Sequence, residues 1–159
     1  MASGIRLRKL QAHMGYEFAD IDHLRQALTA ADAVEENHDG NRRLAQLGDT
    51  MIQGVLVDKA YAEGASRSKI SIKWEKVERL FTNQGAASNF IKCTATKKHR
   101  AARATDLGID ACITYSPRQQ DQPPSTTVLS LAVSAIVGAS WIDCRRDFKV
   151  LRQVVEYLW

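Results

Sequence analysis

Basic side chains crowd into one stretch of the second half of the chain, and their spacing carries the clearest chemical signal in the sequence. Lysine and arginine packed this closely can neutralise the phosphate groups of a nucleic acid. A charge run of this kind is, however, more often the solvated face of a helix, and the sequence leaves both interpretations open. The residues concerned are Lys92, Lys97, Lys98, Arg100 and Arg103.

Asp49 is the acidic residue with the best claim to a site, since it ends a strongly periodic apolar segment. It is either a metal ligand or, in the interpretation we favour, a structural acceptor that pairs with Arg42 or Arg43. Ser134 lies in an apolar segment with no evident base near it, so we do not interpret it as a nucleophile. The four histidines show no spacing suited to a metal or to a catalytic pair.

Length and composition favour one ordinary globular domain over residues 1–159, with 45% hydrophobic and 25% charged residues. Lys and Arg number 22 against 18 Asp and Glu, a net charge of +4 that permits an anionic partner without requiring one. Three widely spaced cysteines fit neither a zinc site nor a disulfide framework, and they indicate a reducing compartment: cytoplasm, nucleus or mitochondrion. No apolar run approaches the roughly 18 residues of a membrane span, so no membrane partner is expected.

Helices must position these residues, because all three prolines fall in one polar stretch, 116–127, and period-2 alternation is scarce. Apolar residues at helical spacing are densest in 41–62, and 128–142 is apolar nearly all round, which is typical of a buried central helix. The predicted fold class is therefore all-α. Further helices are predicted over 5–15, 21–28, 70–92, 97–107 and 147–159.

Two segments resemble the ribonuclease III family. Residues 41–49, NRRLAQLGD, are similar to its signature helix, and residues 132–143, AVSAIVGASWID, to its second conserved helix. Shorter blocks agree in the correct order: GYEF at 15–18, LRQALT at 24–29, and AAR with LGID at 101–110. The likeness covers roughly residues 10–158, and small fungal members look most similar in the later half.

This resemblance implies an all-helical endonuclease domain that acts on double-stranded RNA as a homodimer. The family's chemistry is two-metal phosphodiester hydrolysis, in which Mg²⁺ activates a water and neutralises charge on the phosphate. Mg²⁺ requires hard oxygen ligands, which the family supplies as carboxylates. They are a Glu and an Asp four apart on the signature helix, and an Asp and a Glu three apart on the second.

The chain departs from this pattern at three of the four carboxylate positions. The signature-helix pair falls on Ala45 and Asp49, and the second pair falls on Leu131 and Ser134. A further family Glu, near the start of the signature helix, is Arg42. The sequence therefore predicts a degenerate, metal-free site that needs no cofactor, with Mg²⁺ required only if the site proves active.

The dimer interface also departs from the family, which places a Phe after the signature Glu as a plug into the partner subunit. Gln46 stands there in this chain, while Leu47 and Met51 continue the apolar stripe. We expect a homodimer, or a heterodimer with a related ribonuclease III. No appended double-stranded-RNA-binding domain is expected, since the resemblance fills the chain.

These departures favour an inactive ribonuclease III-like domain that binds structured RNA or a partner protein. One alternative is an active ribonuclease whose metal site is rearranged, with carboxylates drawn from Glu17, Glu35, Glu36 or Asp143. Another is a structural interaction protein without RNA contact, comparable to ribonuclease III-like components of mitochondrial ribosomes.

Overall fold

Six α-helices and one 3-10 turn, Asp110–Cys112, form the part of the chain that the structure, a computed structural model, describes: residues 4–62 and 96–159. No strand occurs within these ranges, so the prediction of an all-α fold is confirmed. The predicted helix over 70–92 lies outside them. The helices are α1 (Gly4–Met14), α2 (Ile21–Ala27), α3 (Arg42–Ala62), α4 (Lys97–Asp106), α5 (Thr126–Asp143) and α6 (Phe148–Leu158).

Side-chain caps fix where most of these helices begin. Asp20 accepts a hydrogen bond from the backbone N–H of Asp22 at the start of α2, and Thr96 accepts one from the N–H of His99 at the start of α4. Ser125 caps α5, as the sequence suggested. Each cap satisfies a backbone donor that has no partner within its own helix, which makes the boundary specific.

Helix α5 is the centre of the domain, and α2, α3, α4 and α6 all pack against it. Its residues from Ala132 to Ser140 are completely or almost completely buried, which confirms the predicted central helix. By length and composition α5 could also cross a membrane, but 61% of that window is buried inside the protein. Burial of this extent is what a core helix requires, so the apolar character of α5 is explained by packing.

Helices α3 and α5 cross at unusually short range because a glycine stands on each side of the contact. A Cβ atom built on Gly48 would lie 1.7 Å from the carbonyl oxygen of Ser134, and one on Gly138 would lie 2.2 Å from that of Leu44. No side chain fits at either position without moving backbone. This crossing sets the distance between the two helices that carry Asp49 and Ser134.

Substituting Gly48→Ala is expected to lower the free energy of unfolding by about 3 kcal/mol, since the added methyl group meets rigid backbone. Gly54→Ala is the matched control, because Gly54 lies in the same helix with nothing near its Cβ position. That control should gain up to about 1 kcal/mol from helix propensity. Urea denaturation measures both, and equal midpoints for Gly48→Ala and the unchanged protein would refute the close crossing.

A buried carboxylate ties the C-terminal end of α5 to the turn between α1 and α2. The side chain of Asp143 is 2% exposed and accepts hydrogen bonds from the Tyr16 hydroxyl at 2.7 Å and from the backbone N–H groups of Ala19 and Asp20 at 2.9 Å. His23 Nδ1 lies 3.2 Å away. Burial alone would raise the pKa of Asp143, but these hydrogen bonds outweigh it and hold the pKa below its ordinary value.

Because the pKa of Asp143 is lowered in the folded protein, its ionised form stabilises the fold above the unfolded pKa, about 3.9, and this contribution disappears as the pH falls through the folded pKa. Asp143→Asn should therefore cost about 2 kcal/mol at pH 7, and the difference from the unchanged protein should shrink under acid conditions. Thermal melts from pH 7 to pH 2 measure this. The exposed Asp121→Asn serves as control, and a pH-independent difference for Asp143→Asn would contradict the assignment.

Candidate functional site

Asp49, Arg100 and Ser134 meet where α3, α4 and α5 come together. Arg100 Nη1 donates a hydrogen bond to the Asp49 carboxylate and another, at 2.6 Å, to the hydroxyl oxygen of Ser134. These three side chains come from positions 51 and 34 residues apart, so only the folded chain brings them together. The basic partner of Asp49 is thus Arg100, whereas the sequence had suggested Arg42 or Arg43.

Burial within this cluster is uneven, and that decides its energetics. The Arg100 side chain is 11% exposed, while that of Asp49 is 44% exposed. Removing a guanidinium from water is costly unless an anion and hydrogen-bond acceptors replace the hydration. Asp49 supplies the charge and Ser134 a second acceptor, but the Nε atom of Arg100 remains buried with no hydrogen-bond partner.

Ser134 is fully engaged, which removes it as a nucleophile. Its hydroxyl oxygen accepts from Arg100, and its proton is donated to the carbonyl oxygen of Ser130 at 3.1 Å. An activated serine needs a base within hydrogen-bond reach to take that proton, and Arg100 is a donor only. The hydroxyl therefore serves to hold the guanidinium in place.

The residues described here do not fit a Mg²⁺ ion. The donor set around Arg100 is one carboxylate and one hydroxyl, and a fixed cation already stands between them. Mg²⁺ requires near-octahedral oxygen ligands, and it is repelled by a neighbouring guanidinium. Within 4–62 and 96–159, no group of three or more His, Cys, Asp or Glu side chains is placed to hold a metal.

The other positions of the predicted site line the same groove. Ala45 is 1% exposed, one helical turn before Asp49, and Leu131 lies partly buried one turn before Ser134. Arg42 is exposed at the start of α3. Where the resemblance leads one to expect acidic residues, the structure thus places two apolar side chains and one cationic side chain.

The carboxylates suggested for a rearranged metal site do not gather at Asp49 in the part of the chain that is described. Asp143 is held at the far end of α5 by the α1–α2 turn, about 13 Å along the helix axis from Ser134. Glu17, Glu35 and Glu36 are exposed in loops. No step of a metal-dependent reaction can be assigned to these side chains.

The predicted basic cluster is divided by the fold. Lys97 and Lys98 are exposed in the first turn of α4, where they remain available to a ligand. Arg100 instead points inward to Asp49, which corrects its placement on a solvent-facing surface. The physical reason is the helical period, which puts Arg100 on the same face as the buried Ala104. Lys92 lies outside the described residues.

Arg103 is also turned toward the protein. Its Nε donates to the carbonyl oxygen of Leu158 at 2.9 Å, near the end of α6, and its Nη1 lies 3.4 Å from Asp106. Burial lowers the pKa of the neighbouring His99, and the charge of Arg103 lowers it further. His99 therefore adds no positive charge near neutral pH, and the exposed charge of α4 comes from its two lysines.

Helix α3 presents the three residues predicted for the dimer interface on one side. Gln46 is exposed, and Leu47 and Met51 are half-buried. The same helix continues toward Val57 and Tyr61, whose side chains are 51% and 84% exposed. An apolar residue as exposed as Tyr61 indicates a surface that gains stability when it is covered.

Sequence comparison finds ribonuclease III enzymes among the relatives, although no protein-family model matches the chain. Ribonuclease 3 of Histophilus somni is 27% identical over 158 residues, 98% of this chain and 61% of that enzyme. Ribonuclease 3 of Glaesserella parasuis is 29% identical over 145 residues, 90% of this chain and 57% of that enzyme. The chain thus spans about three fifths of the length of the curated relatives it matches.

Structural comparison identifies the same class of protein. The nuclease domain of ribonuclease III from Campylobacter jejuni superposes with a TM-score of 0.77 at 23% identity, over 95% of this chain and 91% of that domain. A second structure of that domain, described as flexible in a region involved in dimer formation, gives 0.76 at 22% identity over 96% and 94%. The fold is therefore that of a ribonuclease III nuclease domain. With the sequence relatives, this places the chain in the ribonuclease III endonuclease-domain family.

Removing Asp49 should destabilise the protein more than removing Arg100, because the arginine is the more deeply buried of the two. Asp49→Ala leaves a buried guanidinium without its anion and should cost about 2 kcal/mol, whereas the carboxylate left by Arg100→Met can hydrate and should cost about 1. In the double variant the two losses should not add, and the coupling should be about 1 kcal/mol.

Chemical denaturation of the four proteins measures this cycle. The exposed pair Arg152 and Glu156, 3.1 Å apart within α6, is the matched control and should couple by no more than about 0.5 kcal/mol. Equal coupling for the two pairs would show that the Arg100 contact is an ordinary surface ion pair.

Proposed function

We propose that this chain is a ribonuclease III-type domain that does not hydrolyse RNA and instead binds structured, double-stranded RNA. The observation that supports the proposal is the guanidinium of Arg100, seated between Asp49 and Ser134. A fixed internal cation takes the charge of Asp49, the remaining family carboxylate. A protein that keeps the nuclease scaffold and fills its metal position in this way retains a surface shaped for RNA without the means to activate water.

We further propose that the active assembly is a dimer, either of two copies or of this chain with a related ribonuclease III. Support comes from the exposed and half-buried residues on one side of α3: Gln46, Leu47, Met51, Val57 and Tyr61. The structure of the Campylobacter jejuni domain, which is described as having a region involved in dimer formation, gives the same expectation by likeness of fold.

A reducing compartment and a kinship with small fungal members of the family remain parts of this proposal. Cys112 is buried and Cys144 half-buried, and neither is in a disulfide. Burial raises the pKa of both thiols, which keeps them protonated and unreactive near neutral pH. Such cysteines are consistent with the cytoplasm, the nucleus or the mitochondrion.

The direct test is cleavage of long double-stranded RNA in Mg²⁺ and, separately, in Mn²⁺. The protein and its Asp49→Ala variant are both expected to leave the RNA intact, because too few carboxylates face the site. Cleavage by the protein that disappears in Asp49→Ala would overturn the proposal. Filter binding over a salt series then reports RNA affinity, which should fall linearly in log–log form. Negligible binding at low salt would favour the interaction protein without RNA contact.

Metal binding can be tested apart from activity. Arg100 contacts both Asp49 and Ser134, so a variant carrying Arg100→Ala with Ser134→Glu removes the internal cation and brings a second carboxylate to the same point. This variant is expected to show a rise in Tm with Mn²⁺, because a ligand that binds the folded state stabilises it. The unchanged protein should show none; an equal rise in both would mean that the native residues already bind the ion.

A further inference from the structure

An open cavity of about 170 Å³ lies beside the Asp49, Arg100 and Ser134 cluster, between the start of α3 and the first turns of α5. It is roughly ten times the minimum that one water molecule needs, so a phosphate group with part of its hydration fits. Leu131 forms one wall, which connects the cavity to the groove of the predicted site. Its polar lining comes from Asn41, Arg42, Gln119, Ser125 and Thr127.

We propose that this cavity binds a phosphate group of a double-stranded RNA backbone through Arg42, directly and without a metal ion. The proposal rests on the RNA binding proposed above and names its contact point. In the family pattern the residue at this position is acidic, and its neighbours along the groove would hold cations. In this chain the groove itself supplies the positive charge.

The charges along the groove leave Arg42 free for a ligand. Arg42 has no carboxylate within ion-pair distance among the described residues. Asp49 lies two helical turns further on the same face of α3, about 10 Å away, and its charge is already taken by Arg100. Two guanidinium groups thus accompany one carboxylate, and the uncompensated positive charge belongs to the residue that lines the cavity.

The neutral groups of the cavity suit a phosphate as well. Ser125 Oγ accepts a hydrogen bond from the N–H of Val128, so its own proton is left to donate to a ligand. Asn41 is fixed by its donation to the carbonyl oxygen of Ala27 at 2.8 Å, which anchors the start of α3 and so the position of Arg42. A guanidinium binds two phosphate oxygens at once, and hydroxyl donors complete such a site.

The experiment compares Arg42→Glu with Arg43→Glu in a double-stranded RNA titration, with Mg²⁺ and with EDTA, across a salt series. The two variants make the same charge change at adjacent exposed positions, but only Arg42 lines the cavity. Arg42→Glu should weaken binding about tenfold and reduce the salt slope by about 1, as expected for one lost phosphate contact. Arg43→Glu should change affinity no more than about threefold, through screened charge alone.

Each other outcome has a distinct meaning. Equal losses in the two variants would overturn the cavity assignment and leave RNA binding in place, whereas no RNA binding by the unchanged protein would overturn both. Binding that requires Mg²⁺ would refute the metal-free contact. Calorimetric titration with inorganic phosphate alone should show no binding below the millimolar range, and a tight complex lost in Arg42→Glu would instead assign the cavity to free phosphate. Circular dichroism melts confirm that both variants are folded.

Discussion

A buried guanidinium needs an anion, and that requirement organises the centre of this domain. Arg100 is brought into the protein by α4, and it is matched there by Asp49 from α3 and by Ser134 from α5. The same contact therefore joins three helices and neutralises the remaining family carboxylate. Structure and loss of metal chemistry have one cause, since the cation that links the helices stands where a divalent ion would be bound.

The contact depends on how closely α3 and α5 approach each other. Glycines at 48 and 138 bring the two backbones together, and a larger residue at either position would move Asp49 away from Ser134. The scaffold can remain that of a nuclease domain while its acidic residues are replaced, because the glycines that set the spacing are separate from the side chains that would hold a metal. This separation explains how relatives 27% to 29% identical share the fold with a chain that has a different charge pattern in its groove.

The fold could be predicted from sequence because its strongest signals are local. The apolar period of α3, the continuous apolar run of α5 and the capping residue Ser125 each act within a few residues of chain. The partner of Asp49 could not be found in this way, since Arg100 is 51 residues distant and stands in a run of basic residues typical of a solvated face. One signal was available: Arg100 lies four residues before Ala104, on the apolar face of its helix, where a charged residue must find a partner.

The survival of Asp49 among the replaced carboxylates has a physical explanation that involves no metal. Once a guanidinium occupies the site, an acid beside it is required for stability, and losing that acid would leave a buried charge without compensation. The positions at 45, 131 and 134 have no such requirement: Ala45 is completely enclosed, Leu131 packs against the core, and Ser134 needs only a hydroxyl oxygen to accept from Arg100. A single retained carboxylate is thus what an internal cation demands, whereas a two-metal site would demand all four.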